Sequence, residues 1–373
     1  MDLAFTDEQQ MLRDSTRRML SETAPIKVVR EMENDPKGYP SALWAAMAEM
    51  GLTGICIDEA HGGIGLGALE TAILYEELGR SLAPTPHFVS SVLSAGLIAR
   101  AGSPAQKEQW LPAIASGEAI LTPAWFEPGN GFGPEGVQLA AVRNGEGYTL
   151  SGSKHLVSFA AAAHQLLVLV RSGEAEEAID ILLVDSKSPG ITLSRQKTMA
   201  DDAQYRVTFK DVVVPAAARL GTAGWSDWQA VLKDGMIALA AWAVGCGDRA
   251  LEMAAEYAKE REQFGQPIGS FQGLAHPMAE VATVIEASRL LAQEAAWARD
   301  TGRTYARLAV MAHIQAADAA RFSTRVGQQV MGGIGFTVDI DMQLYYRRAK
   351  QNQLAWGDAD SLEEFIAADV LGE

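Results

Sequence analysis

Apolar residues recur at three- and four-residue intervals in two long blocks, one between residues 6 and 114 and one from about residue 226 to the C-terminus. That spacing belongs to helices burying one face. Thr6-Asp-Glu-Gln9 is a capping box ahead of a helix carrying Met11, Leu12 and Leu20. Ser41 to Met50 reads as a helix ending at Gly51, and Leu69–Leu78, Val89–Ala101 and Pro104–Ile114 continue the block. Between the blocks the period changes. Val137–Val142, Tyr148–Leu150, Leu166–Val170, Ile179–Val184 and Tyr205–Phe209 are short alternating or wholly apolar runs, separated by Gly145-Glu-Gly147, Ser172-Gly173 and Pro189-Gly190. Strands punctuated by turns with no helices between them predict an antiparallel β domain. Val212–Pro215 closes it, and Gly221–Gly224 leads to the next helices.

The predicted class is α+β and multidomain: an N-terminal helical domain over 1–120, a middle antiparallel β domain over 121–220 and a C-terminal helical bundle over 221–373. A chain of 373 residues exceeds one ordinary core, which agrees with several domains. Hydrophobic residues make up 48% and charged residues 21%, an ordinary globular balance that argues against disorder. The net charge of −16, from 47 acidic and 31 basic residues, argues against nucleic acid or an anionic membrane as partner. Cys56 and Cys246 lie in separate apolar segments and are expected as buried, reduced thiols; they are too few for a zinc site. The start, Met-Asp-Leu-Ala-Phe-Thr, lacks the basic and apolar regions of a signal peptide, and no apolar run approaches the ~20 residues of a membrane span. A soluble, cytoplasmic protein is expected.

One stretch departs from helix and strand chemistry. Arg261-Glu-Gln-Phe-Gly-Gln-Pro-Ile-Gly-Ser-Phe-Gln272 separates the helical patterns Ile237–Glu260 and Met278–Trp297. Pro267 and Gly269 are expected to stop the first helix and Ser270 to cap the second. Arg261 and Gln272 carry a guanidinium fork and an amide, groups suited to phosphate and nucleobase edges. Taken alone, the stretch also reads as a polar corner anchored by Phe264 and Phe271. The Gly-rich loop Asp58–Gly67 precedes a helix, as in phosphate-binding loops, yet no βαβ strand precedes it and no P-loop lysine follows.

Arg-x-Gln-Phe-Gly-x-Pro-Ile-x-x-Phe-Gln closely resembles the signature of the acyl-CoA dehydrogenase family. Gln329-Val-Met-Gly-Gly-Ile-Gly-Phe336, Glu127-Pro-Gly129 and, more weakly, Gly62-Gly63 resemble further family segments, in the family's order and over essentially the whole chain. The resemblance implies an α–β–α fold and removal of the α and β hydrogens of an acyl-CoA. It also implies FAD as hydride acceptor, because side chains supply a base but not a hydride acceptor. By resemblance Arg261 reaches the pyrophosphate of an FAD held mainly by a neighbouring subunit, and Phe264, Phe271 and Gln272 line its adenosine portion. Gln329, Gly332 and Gly333 approach the ADP part. A dimer or tetramer is therefore implied, homo- or hetero-oligomeric, with an electron-transferring flavoprotein as acceptor.

At the flavin ring the family pattern is altered. Phe126 stands where a Thr or Ser donates, Leu156 where a tryptophan is usual, while Ser158 matches the expected hydroxyl; Trp125 offers flat apolar surface. The family's base is a glutamate at one of two places. Here they hold Trp356, with Asp358 two residues on in place of a hydroxyl residue, and Gly235; by resemblance Trp125, Phe126, Ser158, Trp356 and Asp358 are also expected to contact FAD. Asp234 and Asp358 are the nearest carboxylates, and Asp234 is the candidate base if the helix start is shifted. Residues near helix starts are also ordinary caps. Trp356-Gly-Asp-Ala-Asp360 with Pro84-Thr-Pro86 resembles the small-subunit type of pimeloyl-CoA dehydrogenases and the non-identical paired subunits acting on bulky acyl-CoAs. Three functions stay open: an FAD-dependent acyl-CoA dehydrogenase or a subunit of one, an inert binding subunit, and another flavin reaction such as monooxygenation.

Overall fold

The computed structural model describes residues 4–129, 131–145 and 147–372; Met1–Leu3 of the non-basic start and Glu146 of the expected turn lie outside them. Six helices precede the β region: α1 (Asp7–Thr23), α2 (Ile26–Met32), α3 (Ser41–Glu49), α4 (Ala68–Ser81), α5 (Ala95–Ala101) and α6 (Pro104–Ala115). Seven strands follow: β1 (Leu121–Ala124), β2 (Ala141–Asn144), β3 (Gly147–Ser158), β4 (Gln165–Arg171), β5 (Ile179–Asp185), β6 (Ile191–Gln196) and β7 (Gln204–Pro215). Then come α7 (Trp225–Glu260), the two-residue strands β8 (Glu262–Gln263) and β9 (Gln266–Pro267), and α8 (Gln272–Asp300). The chain finishes with α9 (Ala306–Met331), α10 (Met342–Leu354) and α11 (Ala359–Leu371). This is the α+β arrangement of an N-terminal helical region, a middle β region and a C-terminal helical region.

Two compact units result, one of Met1–Lys27, Gly67–Ala83 and Met236–Glu373, the other of Val28–Leu66 and Pro84–Gly235. The first is helical. Thr6 Oγ1 accepts from Gln9 N at 3.2 Å while Gln9 Oε1 accepts from Thr6 N at 3.0 Å, so the capping box forms and satisfies two orphan donors of α1. Helices α4 and α7 approach at backbone distance. A Cβ on Gly79 would lie 1.9 Å from the Trp242 carbonyl oxygen, and one on Gly245 1.9 Å from that of Glu76. The N-terminus of α4 is closed by Asp300, which accepts from Ala68 N at 2.7 Å and Leu69 N at 3.0 Å. The glycine loop therefore leads into a helix start already holding a carboxylate, not into a phosphate cradle.

In the second unit β2-β3-β7-β6 form one antiparallel sheet, and β1-β4-β5 form another in which β1 runs parallel to β4. Their shared core is Leu150, Val168, Leu182, Val207, Phe209 and neighbours, all buried. The expected strand Val137–Val142 is strand only from Ala141, because Gln138 N and Leu139 N donate to the Glu127 carboxylate (3.0 and 2.9 Å). Val89–Ala101 is helical, but Phe88–Ser94 is wound as a π-helix, a rare geometry.

Three further expectations are corrected. Helix α7 stops at Glu260, before Pro267 and Gly269, because Phe264 (φ 56) and Gly265 (φ 81) form the two-residue turn between β8 and β9. Ser270 does not cap α8; its N-cap position is Phe271, without a side-chain cap bond. Cys246 is buried, and burial pushes its thiol well up, but Cys56 is exposed because its neighbours Ile55 and Ile57 take the inward positions. Finally, α7, at 36 residues, is long and apolar enough to cross a bilayer; 78% of its most apolar window is buried within the protein, as in a core helix.

Candidate functional site

The loop after β1 is held by one buried ion pair. Lys154 Nζ on β3 lies 2.6 Å from Glu127 Oε1 and donates to Trp125 O at 3.1 Å, with the lysine side chain fully buried. Glu127 also takes the two amides of Gln138 and Leu139, so one carboxylate fastens both ends of the 127–139 loop. Burial draws the Lys154 ammonium down, opposed by Glu127. His155 N donates to Phe126 O at 2.9 Å and fixes the remaining residue. Trp125, buried, packs on Trp228 of α7 (ring centroids 5.2 Å), Phe132 (6.0 Å) and Phe126 (6.1 Å). Phe126 and Phe132 are 5.6 Å apart. Where the family pattern calls for a hydroxyl donor, this chain builds an aromatic cluster.

Ser158 ends β3 with its hydroxyl engaged by Gln204, at 2.9 Å from Nε2 and 3.1 Å from Oε1. Leu156 stands 44% exposed at φ 51, its amide held by Gln196 Oε1 at 2.8 Å. The β region thus brings Trp125, Phe126 and Ser158 onto neighbouring strands and loops, but none carries an unengaged donor toward a flavin.

At the two base positions no carboxylate stands free. Gly235 is buried in α7, and a Cβ there would meet Phe88 and Leu93 side chains at 3.1 Å. α7 starts at Trp225, nine residues earlier than Asp234, so the shift that would aim Asp234 into the Gly235 direction is not made. Successive helical residues diverge by about 100°. Trp356 sits half-buried at φ 66, and Asp358 is the N-cap of α11, accepting from Ser361 N at 3.0 Å. That is cap geometry.

The C-terminal segment is different in kind. Phe264, at the tip of the β8–β9 turn, is 93% exposed and meets Phe271 edge-on, with centroids 6.0 Å apart. Arg261, Gln272 and Gln329 are exposed, and their side chains make no hydrogen bond or ion pair among the described residues. Gly332 (φ 62) and Gly333, past the end of α9, have no atom within 4 Å of where a Cβ would be. A guanidinium, two amides, an exposed ring and open main chain fit the phosphate and planar groups of a dinucleotide presented from outside. The phosphate and adenine groups of FAD therefore fit the donors of the two C-terminal segments, while the side chains of Trp125, Phe126 and Ser158 offer its ring no unused donor.

Sequence reasoning missed Lys154, Phe88, Phe132 and Trp228. Lysine and glutamate 27 residues apart leave no local mark. The π-helix that carries Phe88 has none either.

Three family models cover the chain in order: the N-terminal domain of acyl-CoA dehydrogenases over residues 6–118, the middle domain over 123–212 and the C-terminal domain over 222–371. A probable acyl-CoA dehydrogenase of Bacillus subtilis, YngJ, is 30% identical over 100% of both chains. Butyryl-CoA dehydrogenase from Megasphaera elsdenii superposes with a TM-score of 0.91 at 28% identity over 100% of both chains. A chain of the ChsE4–ChsE5 complex from Mycobacterium tuberculosis superposes with a TM-score of 0.90 at 28% identity, again over 100% of both. With its fold, its ordered motifs and its whole length matched in this way, the chain belongs to the acyl-CoA dehydrogenase family of FAD-dependent oxidoreductases.

Proposed function

We propose that this chain is one subunit of a paired acyl-CoA dehydrogenase. It lends the Arg261–Gln272 and Gln329–Gly333 segments to FAD held mainly by a neighbouring subunit, and the partner supplies the carboxylate that takes the α-proton. Bound FAD supplies the hydride acceptor that no side chain can be. The observation that carries the reading is the contrast within one chain. Arg261, Gln272 and Gln329 have unused donors and Phe264 is fully presented, while Gly235 is walled by Phe88 and Leu93 and Asp358 is held as a cap.

In this reading residues 1–120, 121–220 and 221–373 act as the helical, β and helical domains. The assembly is a hetero-oligomer, a tetramer by family habit, working in the cytoplasm and passing electrons to an electron-transferring flavoprotein. The substrate is a bulky acyl-CoA of fatty-acid or steroid side-chain type, a choice supported by likeness to a subunit of the ChsE4–ChsE5 complex. Asp234, the candidate base within this chain, is not required in this reading.

Co-expression with the neighbouring reading frame, followed by an absorbance spectrum and subunit stoichiometry, tests this. The expected outcome is a yellow complex with fewer FAD molecules than chains, and full turnover when Asp234→Asn is introduced. A chain that alone binds one FAD and is reduced by acyl-CoA overturns the paired reading; loss of turnover in Asp234→Asn would assign the base to Asp234.

A further inference from the structure

Within the helical unit α1, α4, α7 and α10 line an open cavity of about 220 Å³ that has no part in the segments above. Arg17, Arg80 and Arg249 line it, with Glu77 and Tyr345 between them and Leu20 and Ile26 as an apolar wall. Each guanidinium is held from one side. The buried Glu77 carboxylate takes Arg17 Nε and Nη2 at 2.8 and 2.6 Å. Arg80 is shared between Asp248 (3.1 Å) and Glu252, and Arg249 Nη1 between Glu252 (2.9 Å) and Glu256 (3.3 Å). Asp248, Glu252 and Glu256 do not line the cavity. The hydroxyl of Tyr345 donates to Arg80 O at 2.7 Å, so its proton is already used.

The lining guanidinium groups keep unused donors. A guanidinium carries five N–H groups. Arg17 Nη1 and Arg249 Nε and Nη2 have no partner among the described residues. Arg17 is held by Glu77 in the cavity wall, whose carboxylate is taken up by that bond, and Arg249 by Glu252 and Glu256 outside the lining, so an occupant need not reorder them. We propose that this cavity is a binding site for a small oxyanion, phosphate or a short phosphomonoester, gripped by Arg17 and Arg249 with Arg80 beneath. The volume is below the roughly 300–1,000 Å³ of common cofactor pockets, which suits a small anion rather than the whole of a coenzyme A thioester or a dinucleotide. An anion with a short apolar stub gains contact with Leu20 and Ile26.

The test is titration calorimetry of the full-length chain, in its complex where one forms, with inorganic phosphate and separately with glycerol phosphate at low ionic strength. Saturable binding is expected, weakened at least about tenfold in Arg249→Gln. Because Arg249 also serves an ion-pair network, Ser21→Glu provides a second variant. Ser21 is exposed at the cavity rim, and a carboxylate there should abolish binding while leaving the melting temperature in place. Tighter glycerol phosphate assigns a phosphomonoester, and equal or tighter phosphate assigns the free ion. Absence of heat at tens of millimolar of both, or binding that survives Ser21→Glu and Arg249→Gln, overturns the proposal.

Discussion

Replacing Lys154 by methionine tests whether the buried pair with Glu127 sets the conformation of the loop after β1. Methionine keeps most of the stem volume, so little of the cost comes from a cavity. What is lost is the ammonium at 2.6 Å from Glu127 Oε1 and the bond to Trp125 O. The carboxylate is then left buried with only the Gln138 and Leu139 amides, at 3.0 and 2.9 Å. Breaking a buried pair from one side costs about 3–5 kcal/mol, and the two remaining amides place this case near the lower figure. Lys154→Met combined with Glu127→Gln removes both charges and should recover at least about 1 kcal/mol of that loss. Urea unfolding followed by tryptophan fluorescence measures it through the midpoint and slope. Trp125 stacks beside the pair and reports the loop directly. If both single variants lose less than about 1 kcal/mol and their losses add, the pair does not act as a buried clip and the argument fails.

Acid should weaken the fold through two histidines. His87 and His313 are fully buried, and burial draws each down to about 4, the His87 shift being partly offset by its bond to Leu52 O. Their folded values lie below the unfolded one, so the unfolded chain takes up protons first. The stability they contribute is complete above about pH 6.5 and is lost between there and about 4, by up to ~3 kcal/mol each. His313→Leu should flatten its share of a stability–pH curve, and parallel curves for variant and parent would refute it. Gly245→Ala puts a Cβ 1.9 Å from the Glu76 carbonyl oxygen, so it should cost at least about 2 kcal/mol in urea titration; an unchanged midpoint would mean α4 and α7 do not cross so closely. Arg261→Ala should leave unfolding unchanged and weaken FAD retention by the assembled complex roughly tenfold or more, measured by flavin fluorescence after dilution. Unaltered retention would remove Arg261 from cofactor binding.

Local signals in consecutive residues determined much of this protein. The Thr6 capping box, Pro104 at the start of α6 and the apolar runs of β4 and β5 each lie within a few positions and can be read without the rest of the chain. Arg261 to Gln272 is irregular enough to stand out, but alone it also reads as a polar corner; its meaning came from the ordered set of motifs over the whole chain. Tertiary structure decided what depends on residues far apart. Glu127 diverts the amides of a segment that otherwise alternates like a strand, and it does so only because Lys154 is folded beneath it. β1 pairs parallel with β4 although the surrounding pattern reads as antiparallel, since periodicity gives a strand's faces but not its direction or neighbours. Gly235 is legible in the sequence as a base position without a carboxylate, but only the fold shows the π-helix setting Phe88 and Leu93 against it. Sequence spacing fixes which face of an element is apolar; only packing fixes what meets that face.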